Sequence, residues 1–219
     1  MAIPYERSWD PELQPWNAPK KKETPEDEIL SESIEMAQPI ETQLSSLDER
    51  ILSEVTNPDE RKIKDIRIGL KNSSKWSQHF KKAEQDNSLP SGLLISIAAT
   101  ESMGDPSAGS HAGAKGLMQF IPSTARSVGL QVDDRVDDRL DPVKSIEAAG
   151  VYFGKLLRGS DGDINQALMK YNWGWGNVSK WKNDPTMRMP KETSQYIGRW
   201  NAAMKLQEEL NKGKISSAP

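Results

Sequence analysis

The sequence predicts a mainly α domain preceded by an N-terminal leader, and three observations predict it. Beyond residue 75, apolar residues recur at helical spacing between glycines and turn residues. That stretch also holds 14 of the 15 glycines and five of the seven tryptophans. The first 74 residues, by contrast, carry seven of the 14 prolines, a single glycine, Gly69, and 16 acidic against 10 basic residues, a net charge of −6. The whole chain of 219 residues is only 35% hydrophobic, with a mean hydropathy of −0.72. Much of that shortage of core residues falls in the leader, which leaves about 145 residues for one domain of ordinary size.

Within the leader, Pro4, Pro11, Pro15, Pro19 and Pro25 each fix φ and remove a backbone donor, so residues 1–28 read as an extended arm bearing Trp9 and Trp16. From Glu28 to Val55 the pattern turns helical, with Ile40, Leu44, Leu47, Ile51 and Val55 on one face and Pro39 as a break. Asn57-Pro58-Asp59 interrupts the chain again, and Ile63, Ile66 and Leu70 make a second short stripe. Amphipathic helices of this kind are marginal alone in water, so residues 1–74 are expected either to be solvated or to dock on a partner.

The domain is expected over residues 75–210, with residues 211–219 as a tail. Ser91 precedes the run Leu93-Leu94-Ile95-Ser96-Ile97-Ala98-Ala99 and is placed to cap a buried helix ending near Glu101 and Gly104. Gly113 to Pro122 reads as a short strand or an extended turn hinged by glycines. Further helices are expected from Asp141-Pro142 to Leu157, from Ile164 to Tyr171 and from Ser194 to Leu210, where Tyr196 and Trp200 suit helix packing.

Several function classes are excluded. No stretch approaches the ~20 apolar residues of a membrane span, and the start Met1-Ala2-Ile3-Pro4-Tyr5-Glu6 lacks the basic and apolar regions of a secretory signal. Without cysteine, and with only His79 and His111, a thiolate or His-based metal site is not expected, nor is any cofactor. A net charge of −3 gives no argument for nucleic acid. Asp133-Asp134, Arg135, Asp137-Asp138 and Arg139 fit no calcium loop and read as a solvated charge run, as does Asp161-Gly162-Asp163.

One carboxylate stands out. Glu101 falls at the C-terminal end of the most apolar helix, where desolvation and the negative end of the helix dipole favour the protonated form, a general acid. The plainer alternative is a carboxylate that marks the helix end and points to water. The following residues decide between them: Glu101-Ser102, then Gly113-Ala114-Lys115-Gly116-Leu117-Met118-Gln119, Pro122-Ser123-Thr124-Ala125, Ala167-Leu168-Met169-Lys170-Tyr171-Asn172-Trp173-Gly174, and Pro190 with Glu192-Thr193 and Tyr196. This order of blocks, over roughly residues 85 to 200, resembles the soluble lytic transglycosylase (SLT) family, with Met169 and Lys170 departing from the usual residues before Tyr-Asn.

The resemblance implies a goose-lysozyme-like domain that cleaves the β-1,4 bond between N-acetylmuramic acid and N-acetylglucosamine in peptidoglycan. Glu101 would perform both proton transfers, leaving a 1,6-anhydro product and consuming no water. The substrate's acetamido group would meet the developing positive charge, so a second catalytic carboxylate is not required, and no other Asp or Glu has a comparable motif context. Ser110, Met118, Gln119, Tyr171, Asn172 and Glu192 match substrate-binding positions. An unpartnered Gln119 amide among apolar neighbours would cost about 1–3 kcal/mol, so a sugar or backbone partner is expected for it. Trp173 and Trp175 are placed either to stack on sugar rings or to pack in the core.

Peptidoglycan lies outside the cytoplasmic membrane, so the lack of an export signal implies another route of delivery. A bacteriophage particle carrying the enzyme, with the leader docked on other virion proteins, fits best. A phage endolysin, a muramidase that uses water, and an inactive virion structural or sugar-binding protein are the alternatives.

Overall fold

The apolar run that opens at Leu93 becomes the centre of the molecule. The computed structural model describes residues 49–212, which hold nine α-helices: α1 Glu49–Glu54, α2 Glu60–Ser73, α3 Ser77–Asp86, α4 Leu93–Ser102, α5 Pro122–Ser127, α6 Pro142–Arg158, α7 Ile164–Trp173, α8 Trp175–Asn183 and α9 Lys191–Asn211. The arm with Trp9 and Trp16, the positions Ile40, Leu44 and Leu47, and residues 213–219 of the tail lie outside the described residues.

Helix α4 is apolar all round, the pattern of a helix enclosed on every side. Leu93, Leu94, Ile97 and Ala98 have no solvent exposure, and α2, α3, α6 and α9 pack against it. Its start differs from the sequence expectation. Gly92, not Ser91, is the N-cap and adopts φ +85°, a conformation natural to glycine. The orphan amides of the first turn are met by a side chain from α3: Glu84 accepts from Gly92 N at 2.9 Å and from Leu94 N at 2.8 Å. Elsewhere local caps hold. Asp59 accepts from Lys62 N, Asp141 from Val143 N and Lys144 N, and Asp163 from Asn165 N and Gln166 N.

Residues 49–74, read from the sequence as the end of the leader, are packed into the domain. Ile51 is fully buried in the main core, and Ile66 and Leu70 form a second cluster with Ala99 of α4 and Ala203 and Leu206 of α9. Each such side chain contributes about 1.5–3 kcal/mol through burial. Polar contacts reinforce the join: Glu54 Oε2 accepts from Met189 N at 2.9 Å, and the Thr56 and Ser194 hydroxyls lie 2.8 Å apart. The α9 backbone approaches so closely that a Cβ at Gly198 would sit 2.0 Å from Thr56 O. The stripe at Ile63, Ile66 and Leu70 thus finds its partner within the chain.

The segment Gly113–Pro122 forms no strand. It is an extended turn pinned by isolated antiparallel bridges, Gly109 with Lys115 and Lys115 with Phe120. No helix among the described residues is long and apolar enough to cross a membrane.

Candidate active site

Glu101 occupies the last turn of α4, half-buried, with its Oε1 shielded from solvent. The chain leaves the helix through two consecutive residues with positive φ, Met103 at +54° and Gly104 at +72°, and the amide of Gly104 returns to Ala98 O at 3.3 Å. Ser102 fixes this turn from one side. Its buried hydroxyl lies 3.0 Å from Ala98 O and 2.8 Å from Leu117 O, which ties the end of α4 to the glycine-hinged loop.

The loop is built to hold one shape. Gly116 N donates to Ala108 O at 2.8 Å, and Ser110 N to Ala114 O at 2.9 Å. Gly116 has φ +78°, and a Cβ there would fall 1.7 Å from Arg139 O, so glycine is required. Gln119 sits at φ +49°, nearly buried, and its Nε2 donates to Ala108 O at 3.1 Å and to Gly116 O at 2.8 Å. Of the two partners expected for this amide, the structure supplies backbone. Met118 is fully buried, so its side chain is core and has no exposed surface for the sugar contact expected of it. What Met118 offers its neighbours is a carbonyl, which accepts from the Tyr171 hydroxyl at 2.7 Å.

Tyr171, near the end of α7, is likewise buried. Its ring packs 5.6 Å from Tyr152, and 6.2 Å from both Phe120 and Phe153. The half-buried Tyr152, packed against the Tyr171 and Phe120 rings, is a neighbour that nothing in the sequence singled out. Its signal was weak, an aromatic pair with Phe153 inside an ordinary amphipathic helix. Asn172 is buried beside Tyr171, and its Oδ1 accepts from Thr193 Oγ1 at 2.9 Å, joining α7 to the first turn of α9. Hydrogen bonds therefore link the Glu101 turn, Leu117 to Gln119, and Tyr171 through adjacent residues. Ser110 and Glu192 are exposed on the flanks, Ser110 accepting from Ala114 N at 3.1 Å and Glu192 lying next to Thr193.

The second tryptophan of the Trp173-Gly174-Trp175 turn packs on protein. Trp175 lies so close to Gly159 that a Cβ there would meet its ring at 1.9 Å, and Lys170 Nζ stands 3.9 Å from the ring centre while donating to Gly159 O. Burial holds the Lys170 ammonium below the usual lysine range. Lys170, a departure from the family pattern, thereby closes the C-terminal end of α6. Trp173 is buried in the main core.

The acidic run is more than a solvated face. Arg139, only 4% exposed, donates to Gly113 O at 2.8 Å and to Phe120 O at 3.1 Å, clamping the two ends of the glycine loop. Asp137 orients the guanidinium through bonds of 2.7 and 2.8 Å. Hydrogen bonding from Arg139, aided by Lys115, holds the Asp137 carboxyl down to about 2. Asp105, four residues from Glu101, is held below the ordinary aspartate range by the hydroxyl and amide of Ser107. Among the described residues, no group of three or more His, Cys, Asp or Glu side chains is arranged to hold a metal ion.

Known proteins are similar to this chain in sequence and fold. Residues 78–193 match the family model of the transglycosylase SLT domain. The peptidoglycan transglycosylase gp16 of Escherichia phage T7 is 41% identical over 100 residues, which are 45% of this chain and 8% of that protein. The membrane-bound lytic murein transglycosylase D of Escherichia coli K12 is 36% identical over 114 residues, 48% of this chain and 25% of that protein. In structure, an inactive mutant of the lytic transglycosylase Slt from Pseudomonas aeruginosa superposes with a TM-score of 0.52 at 24% identity, covering 61% of this chain and 24% of that one, a likeness of fold. The matched segment is thus a small part of each relative. Since the family model spans more than half of the 219 residues and takes in the Glu101 turn, the glycine loop and the Tyr171-Asn172 pair, the chain belongs to the transglycosylase SLT domain family.

Proposed function

We propose that this chain is a peptidoglycan lytic transglycosylase that cleaves the bond between N-acetylmuramic acid and N-acetylglucosamine, with Glu101 as its acid and base. The observation that carries the reading is the Glu101 turn itself. A half-buried carboxyl ends a helix that is apolar all round, and Ser102 and the Leu117 carbonyl lock it to the loop beneath Tyr171. Such a group delivers a proton to the glycosidic oxygen as the bond breaks, and then takes one from the muramic acid 6-hydroxyl as that oxygen attacks the anomeric carbon. Ring closure gives the 1,6-anhydro product and regenerates the acid.

The other groups support that cycle in different ways. Tyr171 and Asn172 hold the site through Met118 O and Thr193 Oγ1. The Gln119 amide nitrogen is engaged with the loop, which leaves its carbonyl oxygen as the atom for a sugar hydroxyl. Ser110 and Glu192, both exposed, are assigned to the sugar or the peptide stem. Similarity to the phage T7 gp16 protein supports action at the cell wall during phage entry. The docking on virion proteins expected of residues 1–74 is assigned to the part that precedes α1, because α1 and α2 are packed in the domain.

Mass spectrometry of muropeptides released from purified sacculi tests the reaction. Anhydro-muropeptides are the expected product; reducing ends alone would make the enzyme a muramidase. Zymography of the wild type separates both from an inactive sugar-binding protein, which clears nothing.

A further inference from the structure

We infer that helix α2 is a brace for the catalytic turn, with Gly69 and Asn72 as positioning residues for Glu101. The inference rests on the assignment of Glu101 as the proton-transfer group. Helix α2 lies before residue 78, outside the segment that matches the family model.

The last turn of any helix is its weakest, because the final carbonyls have no partner inside the helix. In α4 that turn carries Glu101, and the chain then reverses through Met103 and Gly104, both at positive φ. Met103 is not glycine, so its left-handed conformation persists only where surroundings enforce it. Ser102 holds the turn on the side of the glycine loop, and α2 holds it on another. Asn72 Nδ2 donates to Met103 O at 3.0 Å, taking up the carbonyl that the reversal turns out of the helix. Gly69 faces the backbone of Ala99, two residues before Glu101: a Cβ at Gly69 would lie 2.7 Å from Ala99 O and 2.9 Å from Ala99 Cα. A Cβ at Gly104 would in turn strike Asn72 Cβ at 2.7 Å, Ser73 Oγ at 2.7 Å and Gly69 O at 2.8 Å. Two backbones thus meet in van der Waals contact at the base of the catalytic residue, with one side-chain hydrogen bond across the seam.

Proton transfer demands placement within a fraction of an ångström, and a misplacement of about 1 Å can cost on the order of 10²-fold in rate. Gly69→Ala must push the α4 backbone away from α2 just before Glu101. Asn72→Ala removes the bond to Met103 O from an exposed position, with little effect on the core. The test measures rate against concentration of purified sacculi for the full chain and both variants, with thermal melting alongside. The expected result is a fall in kcat of about fivefold for Asn72→Ala and about tenfold or more for Gly69→Ala, with KM within about twofold and the Asn72→Ala melting temperature unchanged. Wild-type kcat in both variants, a change confined to KM, or a loss of rate that only follows loss of folded protein overturns the brace. Glu101→Gln in the same assay separates the two claims. Retained turnover there overturns the assignment of Glu101 and the brace with it, whereas loss there beside wild-type kcat in Asn72→Ala and Gly69→Ala overturns the brace alone.

Discussion

Helix α4 meets a glutamate at each end, and the two sit in opposite surroundings. Glu84 reaches over from α3 to the N-terminus, is almost fully buried, and spends both carboxyl oxygens on backbone amides of the first turn. Glu101 belongs to the last turn and is half-buried, and the next residue, Ser102, ties that turn to a loop also held by Arg139 and Tyr171. At the N-terminus the helix supplies donors and the positive end of its dipole, so a carboxyl there becomes structural. At the C-terminus it supplies neither, so the same backbone cannot hold a carboxyl there, and the proton-transfer role proposed for Glu101 rests on that contrast. The difference teaches that burial of a carboxyl does not by itself mark a catalyst; what the surrounding backbone offers it does.

The largest effect should come from the C-terminal glutamate. Glu101→Gln is expected to lower turnover of sacculi by about 10²- to 10⁴-fold while leaving circular dichroism and the melting curve unchanged. A variant that clears a zymogram like wild type would erase the contrast between the two ends. Next comes removal of residues 1–74. This strips the α2 packing from Ala99, Ala203 and Leu206 and removes Ile51 from the main core. With Ile51, Ile66 and Leu70 each contributing about 1.5–3 kcal/mol, the loss approaches the whole stability of an ordinary domain. The truncated chain should therefore be insoluble or lack a cooperative transition, and a soluble, cooperatively melting product would show that α4 needs no cover on that side.

The N-terminal glutamate should act through stability and pH. Burial pushes the Glu84 carboxyl up to about 7, with the amides of Gly92, Leu94 and Ile95 pulling the other way. Below about 4.5 the group is protonated in folded and unfolded chains alike, and its stabilising contribution is fully present. As pH rises toward 7 the unfolded chain releases the proton while the folded chain keeps it, so stability falls, by on the order of 3 kcal/mol in all. Urea titrations at pH 4.5, 6 and 7.5 should show this decline in the wild type and a flatter profile in Glu84→Gln; parallel profiles would mean that Glu84 is ionised throughout. Trp175→Ala should have the smallest effect on chemistry. Its ring packs on Gly159 and Lys170, so melting should fall by about 5 °C with turnover within about twofold of wild type. A several-fold rise in KM with little change in melting would instead put the ring in the sugar path.

Legibility in the sequence followed the range of the interactions. The helices α4, α6, α7 and α9 were readable because apolar spacing is a local signal, whereas Asp163 reads as part of a charge run and caps α7. Glu101, Tyr171 and Asn172 were readable because an ordered set of short motifs surrounds them. Glu84 was invisible, a glutamate in a polar helix whose partners lie eight and ten residues further on. Arg139 was hidden in a charge run, since its acceptors Gly113 and Phe120 are 26 and 19 residues away. The stripe on α2 was seen, but its partner could not be: Ala203 and Leu206 come from the far end of the chain.

The helical class and the family resemblance came from the sequence alone, and so did the candidate for proton transfer, because these depend on local periodicity and on short runs of fixed residues. Only the tertiary structure shows that residues 49–74 pack against the domain, that Met118 is core and Gln119 a loop strut, and that Trp175 leans on Gly159. Burial and hydrogen-bond partners are properties of what the rest of the chain brings alongside a residue, and neighbours far apart in sequence leave no local trace of having met.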